Sequence, residues 1–266
     1  MKKLKQAVRE ARRLVHDYWS VLKKESSQRP SAVIATLYNV LFARSRFGVG
    51  PLYYSLYQFS RVPRSEWGNY LTDDPDFKQQ LLAMSPPSMH RMAQNKALLY
   101  QHCVQHGLST IPILCVVGKS PDPLGPSLRF ANGLSDWLEV LKASPGDLFV
   151  KSIDGTYGEG SFAVNRIADD TYAYEGKSGS LADLHAHIVA KLEHEAGWIV
   201  QPRLRTHPEL SAIASSHGLA TVRVVTTIRG GVARLLIAGF KLTVGDNITD
   251  NFSKGKSGNL LSGIDI

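Results

Sequence analysis

Through residues 2–25 apolar side chains return every three or four positions, at Leu4, Val8, Ala11, Val15, Tyr18 and Leu22. Lys3, Lys5, Arg9, Arg12 and Arg13 fill the gaps. That period predicts an amphipathic helix. Its basic side has two readings: the solvated face of a helix packed on the body, or a peripheral contact of residues 1–28 with an anionic membrane or an acidic partner. Arg29-Pro30 breaks the pattern. Residues 31–59 are apolar and aromatic with a break at Gly48-Val-Gly-Pro51, and Tyr53, Tyr54, Leu56, Tyr57 and Phe59 predict tertiary packing. Asp74-Pro75 starts a helix leading into Phe77–Met84, and Pro86-Pro87 stops it. Ser88 is placed to cap the next helix. That helix covers Met89–His106, has Lys96 in its middle and ends at Gly107, a left-handed cap.

From there strand patterns alternate with helical ones. Ile111–Val117 predicts a strand and Leu134–Lys142 a helix. Leu148–Val150 and Ser161–Val164 are short apolar runs joined by a loop holding Gly155, Gly158 and Gly160, which predicts a β-hairpin with a flexible tip. Thr171–Glu175 is a short strand, Leu181–Glu195 a helix, and Trp198–Leu204 a strand that turns at Pro202. A helix runs from His207-Pro208 to about Ser216. Ala220–Ile228 and Val232–Thr243 form a hairpin about Arg229-Gly-Gly231, in which Arg223 alternates with Val222 and Val224 and so faces out of their apolar layer. The fold class is α/β in an α+β layout. An N-terminal helical region covers residues 1–88 and a mixed domain follows over 89–266.

Composition narrows the function classes. At 43% hydrophobic and 20% charged the 266 residues suit a globular chain with a sizeable core. No apolar run approaches the ~18 residues a membrane span needs, and charges interrupt the N-terminal apolar positions, unlike a signal peptide. Cys103 and Cys115 read as buried small hydrophobes in a reducing, cytoplasmic setting rather than as a disulfide or metal framework. His185 and His187, two apart, point to different helix faces, so with His194 they read as solvated rather than as metal ligands. Residues 1–30 carry nine Lys/Arg against three Asp/Glu, which is most of the net +8. The remainder is nearly neutral, which argues against nucleic acid as a partner.

The candidate chemistry starts at the glycine hairpin. Glycines let a backbone approach phosphate and aim N–H groups at its oxygens, and Lys151 brings an ammonium to the same place. Alternatively the glycines serve only the turn. The stretch has no G-x-x-x-x-G-K-[ST], and its strand–loop–strand context differs from a dinucleotide-binding turn, which opens a helix. Four further segments flank it in order: Asn95-Lys96-Ala97-Leu98-Leu99, Trp198-Ile-Val-Gln-Pro-Arg-Leu204, Thr221-Val-Arg-Val-Val-Thr226 and Asp250-Asn-Phe-Ser-Lys-Gly255.

In that order the five segments resemble the ATP-grasp superfamily, most closely its sugar-transfer-associated branch, which is related to glutamate-ligase-like proteins. The resemblance runs from about Met89 to the last residue. It implies two sheet-containing lobes that clasp ATP. Lys96 and Lys151 would hold phosphates, with Gly155, Gly158 and Gly160 closing over them. The segment bearing Gln201, Arg203 and Leu204 would read adenine. Arg223 would stabilise charge on the transferred phosphoryl group, and Asn251 would act beside it in the Asp-Asn-Phe loop. Lys256 stands where the family usually has a second glycine.

The implied activity is ligation of a carboxylate to an amine or similar nucleophile through an acyl-phosphate, in cell-surface polysaccharide biosynthesis. Family members continue to strands bearing an acidic residue and a Glu-x-Asn pair that hold magnesium. The last 40 residues here hold no such pair, and after Glu209 the carboxylates are Asp246, Asp250 and Asp265. The expectation is an incomplete Mg²⁺ site with Asp250 as its one ligand, weak dependence of binding on Mg²⁺ and turnover near background. On that reading the chain is a fragment or a truncated gene product, or a partner supplies the rest. The alternatives are an inactive nucleotide-binding or scaffolding protein and a membrane-surface accessory of polysaccharide assembly.

Overall fold

The computed structural model describes residues 12, 14–24, 33–70, 79, 82–84, 86–120, 122–143, 146–156, 158, 160–192, 197–214 and 218–265. The first half of the helix expected over 2–25, the helix start at Asp74-Pro75, His194 and Ser216 lie outside them. The chain divides into two compact units, Met1–Ser85 and Pro86–Ile266.

The first unit is helical. Residues 14–24 form α1, Val33–Phe47 form α2 and Pro51–Leu56 form α3, and a 3-10 turn follows over Arg64–Asn69. Its core is aromatic. Trp67 is buried with its ring stacked on Phe59 at 4.9 Å, perpendicular to Tyr54 at 5.8 Å, and its indole N–H donates to the Val62 carbonyl at 3.0 Å. Val21 of α1 and Val40 and Ala43 of α2 complete the cluster. The aromatic run at 53–59 therefore packs, with Tyr53 stacked on Tyr57 and Tyr54 and Phe59 buried. The α1 stripe differs from the pattern read in the sequence. Asp17 and Val21 point inward with Tyr18 packed beside them, and Val15 is exposed. A helix buries the face that the partner's shape accepts, and period alone does not choose between overlapping stripes.

The second unit opens with two helices where one was expected. Helix α4 spans Pro87–Gln94 and α5 spans Lys96–Gln105, with Asn95 extended between them (φ −89°, ψ 107°). Pro87 takes the first helical turn, so Pro86 rather than Ser88 flanks the helix. Gly107 follows α5 with φ +66°, as its position suggested. Strand β1 is Cys115–Gly118, beginning four residues later and ending one later than the predicted Ile111–Val117; Pro112, with no N–H for a ladder, lies in the part that is not strand. Helix α6 (Leu134–Ala143) precedes β2 (Leu148–Ser152) and β3 (Phe162–Ala168), which form the expected glycine hairpin. Then come β4 (Thr171–Tyr174), an unforeseen β5 (Lys177–Gly179), α7 (Leu181–Lys191), β6 (Gly197–Pro202) and α8 (Pro208–Ala214). These six strands make one antiparallel sheet in the order β1-β6-β2-β3-β4-β5.

Strand alternation sorts this sheet's two faces. Leu148, Val150, Trp198 and Val200 pack with Trp137 and Val140 of α6 and Leu184 and Ile188 of α7. On the opposite face Val116, Ile153 and Ile199 pack with Ala97 of α5. A second sheet joins β7 (Thr221–Arg229), β8 (Val232–Leu242) and β9 (Leu260–Ile264), the last not expected from the sequence. Gly230 and Gly231, both at positive φ, make the tight β7–β8 turn. Val222 and Val224 are more than half exposed, so the layer from which Arg223 was expected to turn away is uncovered among the described residues.

The aromatic cluster yields a direct test. Trp67→Ala removes the ring that Phe42, Phe47, Tyr54 and Phe59 all touch. It should destabilise the first unit by about 3–5 kcal/mol, read as a lower urea midpoint in far-UV circular dichroism.

Candidate functional site

A cavity of about 700 Å³ in the second unit is lined from both sheets and from α4 and α5. Its first cation is placed by an amide. Asn95 is wholly buried, and its Oδ1 accepts from the backbone N–H groups of Ala97 (3.0 Å) and Leu98 (3.2 Å). Its Nδ2 donates to Asp122 at 2.7 Å, and Arg91 holds that carboxylate in a 2.6 Å ion pair. The amide thus caps a new helix, and Lys96 becomes its first residue instead of lying mid-helix. From there the Lys96 N–H donates to the Ile153 carbonyl at 2.9 Å, and Nζ reaches the carbonyls of Ser152 (2.9 Å) and Gly155 (2.6 Å). The ammonium sits at the root of the glycine loop.

Lys151 lies on the β2 face that points away from Val150 and into the cavity, with Phe149. Burial pushes its pKa below the ordinary lysine value, and the neighbouring Lys96 charge adds to the shift. Two cations this close favour an anion between them. Ser152 accepts the Gly155 N–H at 3.1 Å and so shapes the loop. Gly155 and Gly158 line the cavity; Gly160, at positive φ like Gly158, does not. Gly158 has φ +76°, and a Cβ built there would come within 2.9 Å of Thr249 Cγ2. Glycine is needed for both reasons.

The β6 end contributes Gln201, Arg203 and Leu204 to the lining. The Gln201 side chain is committed elsewhere, donating to the Ile111 carbonyl at 3.1 Å, so any reading of a base falls to the main chain of this segment. Burial, and then Arg205, lower the Arg203 pKa, while Asp147 opposes them; its guanidinium donates to Asn165. Ile111, Phe149, Leu219 and Ile248 give the same cavity apolar surface.

On the second sheet, Thr221 pairs with Lys241 and Arg223 with Gly239, so Thr221, Arg223 and Lys241 share the lining face. Lys241 is buried and pairs with Asp250 at 2.9 Å; the Thr221 hydroxyl donates to the same carboxylate. Burial alone would raise the Asp250 pKa, but Thr221, Lys241 and Arg223 outweigh it and hold the value below the usual range. Asn251 also lines the cavity. Asn259 fixes this loop from behind. Its Nδ2 donates to the carbonyls of Thr249 (2.8 Å) and Asn251 (2.9 Å), and its Oδ1 accepts from Val244 N–H (3.0 Å) and Asn247 Nδ2 (2.9 Å). That uses its full hydrogen-bonding capacity.

Neither Lys241 nor Asn259 stood out in the sequence. Lys241 gave one faint signal, a charge inside the otherwise apolar Ala238–Leu242. The histidines need correction, because His187 is not solvated. It bonds Glu175 at 2.7 Å, shares that carboxylate with Lys191, and packs against Phe162 and Tyr174. His185 contacts the Asn132 carbonyl. Cys103 is only half-buried, and burial pushes the Cys115 thiol up to about 12. Among the described residues no three His, Cys, Asp or Glu side chains cluster as a metal site. Asp250 is the single carboxylate on the cavity wall among them.

Residues 77–266 match the family model described as sugar-transfer associated ATP-grasp. No curated protein and no solved structure matches the chain.

Two outcomes follow from this geometry. Asn259→Leu strands two carbonyls and an N–H, each worth about 1–3 kcal/mol when left unpaired. The variant should melt at lower temperature and bind ADP at least about tenfold more weakly; unchanged affinity would show that Asn259 does not hold the Asp250 loop in place. The second outcome concerns pH. Because its pKa is lowered, Lys151 loses its proton at a lower pH than an exposed lysine does. Tripolyphosphate binding, followed by calorimetry, should weaken as pH rises through that value, and Lys151→Arg should move the fall to higher pH.

Proposed function

Because this chain belongs to the sugar-transfer-associated ATP-grasp family and is an ATP-binding protein, we propose that it is a ligase that activates a carboxylate for attack by an amine. One observation carries the reading. Lys96, Lys151, Arg203, Arg223 and Lys241 line a single cavity beside one carboxylate, Asp250. An excess of cations beside apolar surface is what a nucleotide needs. Lys96 and Lys151 bind its phosphates, the loop at Gly155 and Gly158 covers them, and the Gln201–Leu204 main chain meets the base. ATP supplies the phosphoryl group that turns a carboxylate into a reactive acyl-phosphate. Arg223 stabilises the charge that builds on that group with its planar fork of donors. Asn251, held by Asn259, orients beside it. The family description supports a place in cell-surface polysaccharide assembly, on the cytoplasmic side where ATP is supplied.

Magnesium is the family's usual companion, and the described residues do not fit it. A lone carboxylate already bound to an ammonium and a hydroxyl offers poor coordination to an ion that wants near-octahedral oxygen. The same pairing favours a second reading, a nucleotide-binding protein without turnover.

Release of ADP in the presence of a panel of carboxylates and amines separates the two readings. The ligase reading expects release that requires both classes together; tight nucleotide binding with no release across the panel supports the second. For the site itself, Lys151→Ala should weaken binding of an ATP analogue tenfold or more, about 1.4 kcal/mol. Lys119→Ala, on an exposed loop, should leave it unchanged. Equal small effects would remove the hairpin from the site.

A further inference from the structure

Helix α2 is apolar on two opposite faces. Thr36, Val40 and Ala43 are buried inward. Outward, Ile34, Leu37, Tyr38 and Leu41 fall at helical spacing on one stripe, with Ile34 84% exposed. A packed surface helix normally turns polar residues outward, so an apolar outer stripe points to something that covers it. Helix α1 repeats the feature. Val15 and Trp19 lie one turn apart on its outer face, and Trp19 is 69% exposed, whereas Trp67, Trp137 and Trp198 are no more than 1% exposed.

The unit that bears both stripes is basic. Residues 1–85 carry fourteen Lys/Arg against seven Asp/Glu, while residues 86–266 carry seventeen against sixteen. Lys23 and Lys24 are exposed on α1, as are Arg12 ahead of it and Arg44 and Arg46 at the end of α2. The Arg64 guanidinium lies over the rings of Tyr38 (5.4 Å) and Phe42 (5.1 Å), which brings a further charge to the edge of the α2 stripe.

The occupant must satisfy both features. A nucleic acid or acidic peptide would use the cations and leave Ile34 and Leu41 in water. A second copy would cover the apolar stripe but bring like charges together. An anionic bilayer surface meets both, since its headgroups attract Lys and Arg and its boundary layer accepts Trp, Tyr and aliphatic side chains. No helix among the described residues is long and apolar enough to cross a membrane. We propose that the N-terminal unit docks on an anionic lipid surface through the outer stripe of α2 and through Val15 and Trp19 of α1. This assignment does not depend on the reading of the nucleotide cavity.

The full chain can be tested with vesicles of phosphatidylcholine alone and of phosphatidylcholine mixed equally with phosphatidylglycerol. Co-sedimentation is expected with the anionic vesicles only, together with a blue shift of tryptophan emission that Trp19→Phe removes. Ile34→Asp with Leu41→Asp should weaken lipid binding about tenfold or more. Arg44→Gln with Arg46→Gln should weaken it too, and with less effect as salt rises. These positions are exposed, so the melting temperature and ADP affinity should match the parent. Absence of sedimentation with anionic vesicles would overturn the proposal, as would parental lipid binding by both double variants. So would a blue shift that grows with protein concentration in the absence of lipid, which would mark self-association. Loss of ADP binding together with lipid binding would overturn the assignment to a separate surface.

Discussion

A single buried amide, Asn95, sets the geometry on which the cavity depends. Buried without partners it would be costly, and here every role is filled: it caps α5, donates to Asp122 and, through Asp122, is tied to Arg91. With this network in place the chain stops one helix and starts another at Lys96. If a single helix ran through the segment, the lysine would lie mid-helix, where it has no reason to meet the Ser152 and Gly155 carbonyls. The cap energy, on the order of 1 kcal/mol, is therefore coupled to the position of a charge on a different element.

Sheet pleating does the rest of the sorting. Along β2 the odd-even alternation sends Leu148 and Val150 into the core and Phe149 and Lys151 into the cavity. A slip of one residue would exchange the two sets. Pairing on both sides of β2, with β3 and with β6, fixes that register. The second wall is held differently. Its loop follows β8 and returns to β9 with little regular structure, and the saturated amide of Asn259 replaces ladder bonds as its fastening.

Much of this was legible in the sequence. The glycine hairpin, the place of Lys151 beside its loop and the β7–β8 turn followed from local pattern, because short apolar runs and paired glycines act over a few residues. The family membership was legible too, from five short segments in order. What escaped depended on partners distant in sequence. Asn95 looks like any helix residue until Asp122 is beside it, and Lys241 looks misplaced until Asp250 returns to meet it. Val15 fitted a stripe by period, yet the aromatic core chose the face with Val21. Local rules rank faces; the tertiary partner selects among them.

The contact of Gly158 with Thr249 links loops that belong to different sheets. No charge lies in it, only the fit of a bare Cα against a methyl group. A side chain at position 158 would have to push Thr249 aside, and so would displace one wall of the cavity relative to the other without altering any of the charges inside.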